Sequence, residues 1–97
     1  MYESRAKKML ATGVDVVSSK EYWETAKRQS PKEIRFTDEN GEIQSFGYMP
    51  FGHYTYWSYD GKFFRTNGLI PQRHIVNWLK SGNADREYKQ GFKGAHL

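Results

Sequence analysis

Tyr54-Thr55-Tyr56-Trp57-Ser58-Tyr59-Asp60-Gly61-Lys62-Phe63-Phe64-Arg65-Thr66 sets an Asp-Gly pair between two runs rich in aromatic and β-branched residues. Asp-Gly accepts the positive φ angles of a two-residue hairpin turn, whose twist matches that of the flanking strands. In that register Trp57 lies opposite Phe64, and Tyr56 opposite Arg65. Successive side chains alternate between faces. One face therefore carries Trp57, Tyr59 and Phe64, and the other Tyr54, Tyr56, Phe63 and Arg65. Both faces are aromatic, so this hairpin must bury both sides or leave one for a partner.

Upstream, the alternation of Ile34 and Phe36 with Arg35 and Thr37, the turn residues Asp38-Glu39-Asn40-Gly41, and Glu42-Ile43-Gln44 predict a first hairpin. A four-residue loop with Gly41 in the left-handed region sets Phe36 opposite Ile43 and leaves the other face wholly polar. A two-residue Asn-Gly turn would instead oppose Glu39 and Glu42, so the longer loop is preferred. Gly47, Pro50 and Gly52 are read as breaking the pattern between the two hairpins.

Before the hairpins, Glu3 to Ala11 reads as a short helix ending at Thr12-Gly13, with Arg5, Lys7 and Lys8 forming a basic cluster. Val14, Val16 and Val17 suit a strand or a connector. Ser18-Ser19-Lys20-Glu21 has the capping-box pattern, in which Ser18 accepts from the backbone near Glu21 and Glu21 reaches back. Tyr22, Trp23 and Ala26 form the apolar stripe of that second helix, and Ser30-Pro31 stops it.

After the hairpins, Asn67-Gly68 turns into a helix with Pro71 in its first turn and Gly82 at its stop. Ile75, Trp78 and Leu79 face the core, and Gln72, Arg73, Asn77 and Lys80 form a polar, donor-rich face. A short helix over Asp85 to Gln90 is followed by a loose end, so about 83–97 is expected to be a mobile basic tail. The expected fold class is α+β: N-terminal helices, two antiparallel β-hairpins and one C-terminal helix, in a single domain over 1–97.

Composition bounds the function. The 97 residues are 37% apolar, 27% charged and 16% aromatic, so the core must rest on a few large rings. No run approaches a membrane span and the N-terminus lacks the apolar core of a signal peptide, which points to a cytoplasmic protein with no membrane partner. Without cysteine there is no disulfide, no thiolate nucleophile and no Cys-ligated zinc.

Charge is uneven. Residues 1–30 hold six basic and four acidic groups, 31–60 two and five, and 61–97 seven and two. That polarity favours an oriented encounter with an anionic partner, nucleic acid or acidic protein.

His53, His74 and His96 lack the spacing of helix-borne metal ligands and are read as surface or hydrogen-bonded residues. The acids between Glu33 and Asp60 fall on turns and a wet face, not in an apolar cleft that would separate their pKa values. No catalytic residue, metal or cofactor is expected, and the chain is read as a binding protein and not an enzyme.

Two surfaces remain. Tyr54, Tyr56, Phe63 and Arg65, with Lys62, offer rings for stacking on bases and cations for phosphates. Gln72, Arg73, Asn77 and Lys80, continued by Arg86, Lys89 and Lys93, offer a basic helical side. The phrase Ile70-Pro71-Gln72-Arg73-His74-Ile75-Val76-Asn77-Trp78-Leu79-Lys80-Ser81-Gly82 is similar to the second helix of helix-turn-helix excisionases. A paired first helix should precede it, whereas the upstream sequence reads as hairpin. Pro71 joins the two surfaces. X-Pro bonds have a small trans preference, so Pro71 is a candidate isomerisation switch and a host prolyl isomerase a candidate partner.

In size, charge and general character the chain resembles the small accessory proteins of temperate bacteriophages, among them the anti-RecBCD proteins of lambdoid phages, which modify the host helicase-nuclease. The resemblance implies an inhibitor that contacts a DNA-processing enzyme, RecBCD, in the host cytoplasm. It carries no functional residue over. The alternative is a small DNA- or RNA-binding regulator that uses the aromatic hairpin and the Pro71–Lys80 helix.

Overall fold

The computed structural model describes residues 2–88. In chain order the elements are α1 (Tyr2–Thr12), β1 (Val14–Val16), α2 (Ser19–Ala26), β2 (Lys32–Thr37), β3 (Ile43–Phe51), β4 (Tyr54–Tyr59), β5 (Lys62–Asn67) and α3 (Gln72–Lys80). The five strands form one antiparallel sheet in the order β1-β5-β4-β3-β2. The α+β class expected from the sequence is the class observed.

The Asp-Gly hairpin has the predicted register: Trp57 pairs with Phe64 and Tyr56 with Arg65. Asp60 and Gly61 both take positive φ, 52° and 74°, as a type I′ turn requires. Its two faces serve two cores. Trp57 and Phe64, both fully buried, join Ala6, Leu10, Phe46, Ile75, Trp78 and Leu79 under α1 and α3. Trp57 and Phe64 stack at 5.7 Å, and each meets Trp78 edge-on, at 5.3 and 5.1 Å. On the reverse face, Tyr56 packs with Val17, Tyr22 and Met49, and Phe63 lies against them. Burying each such ring is worth about 1.5–3 kcal/mol, so α2 closes the second face instead of leaving it to a partner.

The first hairpin differs from expectation by one residue. Thr37 pairs with Ile43 and Phe36 with Gln44. The loop takes a fifth residue because Asp38 organises it: its Oδ1 accepts from the backbone N–H of Asn40 and of Glu42, both at 2.9 Å, and its own N–H donates to the Glu42 carbonyl at 2.8 Å. The slip moves Ile43 to the supposedly polar face, where it is 74% exposed.

Gly47 and Pro50 do not interrupt the chain either, since β3 runs through both. Pro50 is tolerated because β2 ends at Lys32 opposite Tyr48, so β3 has no β2 neighbour there for a proline to deprive of a bond, while on its other side Pro50 stays paired with Thr55 of β4. Gly52, at φ 63°, instead opens a two-residue turn in which Phe51 pairs with Tyr54.

The helix starts follow local chemistry, with one change. Ser18 Oγ accepts from the Glu21 N–H at 3.1 Å, but the Glu21 carboxylate pairs with Arg65 Nη1 at 3.1 Å instead of reaching back. Val14–Val16 is a strand, paired with β5. The β5 to α3 link is pinned by Thr55, whose buried hydroxyl donates to the Gly68 carbonyl at 2.7 Å and accepts from the Ile70 N–H at 2.9 Å. Tyr48 donates to the Ile70 carbonyl at 2.5 Å. Pro71 is the N-cap of α3, and no described peptide bond is cis.

Residues 83–88 are helical, with Ala84 buried. This part of the expected tail is held by Lys62, whose Nζ pairs with Asp85 at 3.4 Å and lies 5.6 Å from the Tyr88 ring. No described helix is long and apolar enough to cross a membrane.

Candidate binding face

The predicted aromatic surface is largely spent on the fold. Tyr56 is buried, and Phe63 rests 4.9 Å from the ring of Tyr22. Arg65 is held from three sides: Glu21, Asp15 through Nη2 at 3.3 Å, and the Tyr54 ring 4.9 Å from its guanidinium carbon. Burial alone would lower the Arg65 pKa, but hydrogen bonds to Tyr56 and Asp15 and the charge of Glu21 outweigh it and raise it. Tyr54 is the one of the four that keeps substantial exposure, 40%. Lys62 is likewise engaged, with Asp60 and Asp85. A base-stacking platform on this face would have to displace α2.

The helical side is different. Gln72, Arg73, Asn77 and Lys80 are all exposed on α3, and Arg86 on the following turn. Lys89 and Lys93 lie outside the described residues. Arg5, Lys7 and Lys8 are exposed on α1, so cations from both ends of the sequence meet on the layer that covers one face of the sheet. At the opposite side, the β2–β3 hairpin displays Glu33, Glu39 and Glu42. Lys80 of α3 helps to hold the Asp38 carboxyl below its ordinary value, behind the larger effect of its hydrogen bond from Gln44.

Between α1 and α3 runs a groove of about 480 Å³, lined by Lys7, Leu10, His74, Asn77, Trp78 and Arg86 among others, with one carboxylate, Glu87, beside the two cations. At its floor Trp78 Nε1 donates to the Leu10 carbonyl at 3.2 Å, joining the two helices below the surface. Its far end is shaped by Asn83, which donates to the Trp78 carbonyl at 3.1 Å and accepts from Arg86. His74 is 5% exposed, and its Nε2 has no hydrogen-bond partner among the described residues. A buried polar atom without a partner is costly, and here it belongs to a residue that lines a cation-rimmed recess.

The sequence suggests a surface or hydrogen-bonded His74. The signal that this reading misses is spacing: residues 74, 75, 78 and 79 form one buried stripe of α3. His53 is exposed on the Gly52–His53 turn, where its carbonyl accepts from the Gly68 N–H at 2.6 Å. Among the described residues no group of three or more His, Cys, Asp or Glu is placed to hold a metal ion. The helix-turn-helix arrangement is not formed, because the element before α3 is β5.

No family model matches the chain, nor does any curated protein or solved structure.

Proposed function

We propose that this chain is a non-enzymatic binding protein that docks an acidic surface of a protein partner into the α1–α3 groove. The carrying observation is His74, which shares the lining of the recess with Lys7 and Arg86 and whose buried Nε2 has no hydrogen-bond partner among the described residues. A carboxylate from the partner would accept from Lys7, Arg86 and a ring N–H of His74, while Leu10 and Trp78 supply an apolar floor. Arg and Trp, both present, are residues that often dominate such interfaces.

The resemblance to phage anti-RecBCD proteins supplies the candidate partner, the host helicase-nuclease RecBCD, and a role as modulator of its nuclease. The protein reading is favoured over nucleic acid because the aromatic hairpin, the device for stacking bases, lies under α2. A second reading, DNA or RNA binding, keeps one observation in its support: Gln72, Arg73, Asn77 and Lys80 are all exposed on α3.

A salt titration separates the two. Phosphate-dominated binding weakens log-linearly with salt, by about one decade per decade of salt for each phosphate neutralised. The protein reading predicts little affinity of the isolated chain for duplex or single-stranded DNA at any salt. Tight DNA binding with a steep salt slope would select the second reading.

A further inference from the structure

The strand β2 closes one side of the sheet and, among the described residues, pairs with β3 alone. Its free side therefore presents backbone donors and acceptors to any strand that can align with them. Which residues these are follows from the hairpin. Asp38 N–H donates across to the Glu42 carbonyl. Backbone groups alternate sides along a strand, so Phe36 and Ile34 share the inward direction of Asp38, while Thr37, Arg35 and Glu33 point their N–H and C=O outward.

We propose that β2 pairs antiparallel with β2 of a second copy of this chain, about a two-fold axis at Ile34. Charge fixes this register. With the axis at Ile34, Glu33 faces Arg35 of the second copy and Arg35 faces Glu33 of the second copy, each as a hydrogen-bonded pair. Ile34 meets its own copy in the closer, non-hydrogen-bonded position, and Lys32 lays its stem beside Phe36. An axis at Glu33 would oppose two glutamates, and one at Arg35 two arginines. The Ile34 register leaves Pro31, which has no N–H, opposite Thr37 at the two ends of the ladder, whereas an axis closer to the start of β2 would carry it toward the middle.

Side chains support the same register. Glu33 and Arg35 are 64% and 74% exposed and sit 3.9 Å apart along their own strand, a loose contact that the cross-strand pair replaces. Ile34 and Phe36, half-buried on the α1–α3 side, extend that core across the axis. The result is a continuous sheet with both helical layers on one side, so two α1–α3 grooves face the same way.

Charged residues on a lone edge can also serve to keep it unpaired, and the experiment distinguishes the two roles. Analytical ultracentrifugation of the full chain, over about 1 μM to 1 mM, should show a monomer-dimer equilibrium with a dissociation constant on the order of 10–100 μM, as fits a small interface. Glu33→Arg and Arg35→Glu each create like-charge pairs at two symmetric positions and should weaken dimerisation about tenfold or more. Mixed together, the two variants restore both opposite-charge pairs and should form a heterodimer of near wild-type strength. Circular dichroism of each variant verifies the fold, and the mixing result would not arise from misfolding. A wild-type chain that stays monomeric throughout, or a dimer indifferent to both reversals, overturns the proposal.

Discussion

The hydroxyl of Tyr22 occupies the space above Gly47: a Cβ on that glycine would stand 2.8 Å from the hydroxyl oxygen and 2.7 Å from Ser58 Oγ. The strand β3 is thus notched where α2 docks, and the missing side chain lets the helix sit close enough to cover Met49 and Tyr56. Ser58 has a short side chain that can rotate, whereas Tyr22 is fully buried and fixed by its neighbours.

Gly47→Ala should therefore destabilise the protein by about 1–3 kcal/mol, as overpacking does, measured by urea unfolding. Adding Tyr22→Phe removes the clashing oxygen. The double variant should recover about 0.5 kcal/mol or more relative to additivity. Additive losses would mean that the two residues do not meet.

Tyr22 also predicts an alkaline limit. Burial raises its hydroxyl above the ordinary tyrosine value, and the Ser58 hydroxyl offsets part of that. With the folded pKa above the unfolded one, the contribution is complete below about pH 10 and is lost as pH rises through the folded value. Stability should fall above about pH 10, and Tyr22→Phe should flatten that part of the profile.

Asp38 predicts the acidic counterpart. The hydrogen bond from Gln44, with those from the Glu42 and Asn40 backbone, holds its carboxyl below the ordinary value. With the folded pKa depressed, its contribution is present above the unfolded value of about 4 and disappears as pH falls through the folded one. Amide hydrogen exchange at Asn40 and Glu42 should accelerate in that range relative to the pH trend of other loop amides. Asp38→Ala should show the faster exchange already at neutral pH.

Much of the fold is legible in the sequence, and the failures have physical causes. Asp60-Gly61 fixed both turn and register because positive φ at two successive positions is a demanding requirement. The Asp38 loop was misjudged by one residue because a side-chain carboxylate, invisible to spacing rules, captured two backbone donors. Gly47 and Pro50 read as breakers, yet one is a docking notch and the other lies beyond the reach of β2.

The candidate site was legible in part. The exposed face of Gln72, Arg73, Asn77 and Lys80 followed from helical period alone. The fate of Tyr56 and Phe63 did not, because nothing local says that Tyr22 will cover them. The contribution of Lys7 and Leu10 required knowing that α1 packs beside α3, more than sixty positions away in the chain. Trp78→Phe, which removes the Nε1 bond to Leu10 along with some packing, should cost about 1–3 kcal/mol, measured by urea unfolding. It should also loosen the groove, seen as faster exchange of α1 amides.

The groove account stands most directly on the nuclease activity of purified RecBCD on linear duplex DNA, titrated with this chain and with the Lys7→Glu/Arg86→Glu variant. The account predicts that the wild-type chain changes the activity at saturation. The variant, still folded by circular dichroism, should need at least about tenfold more protein for the same effect. An enzyme unaffected by the chain, or affected equally by both, would contradict it.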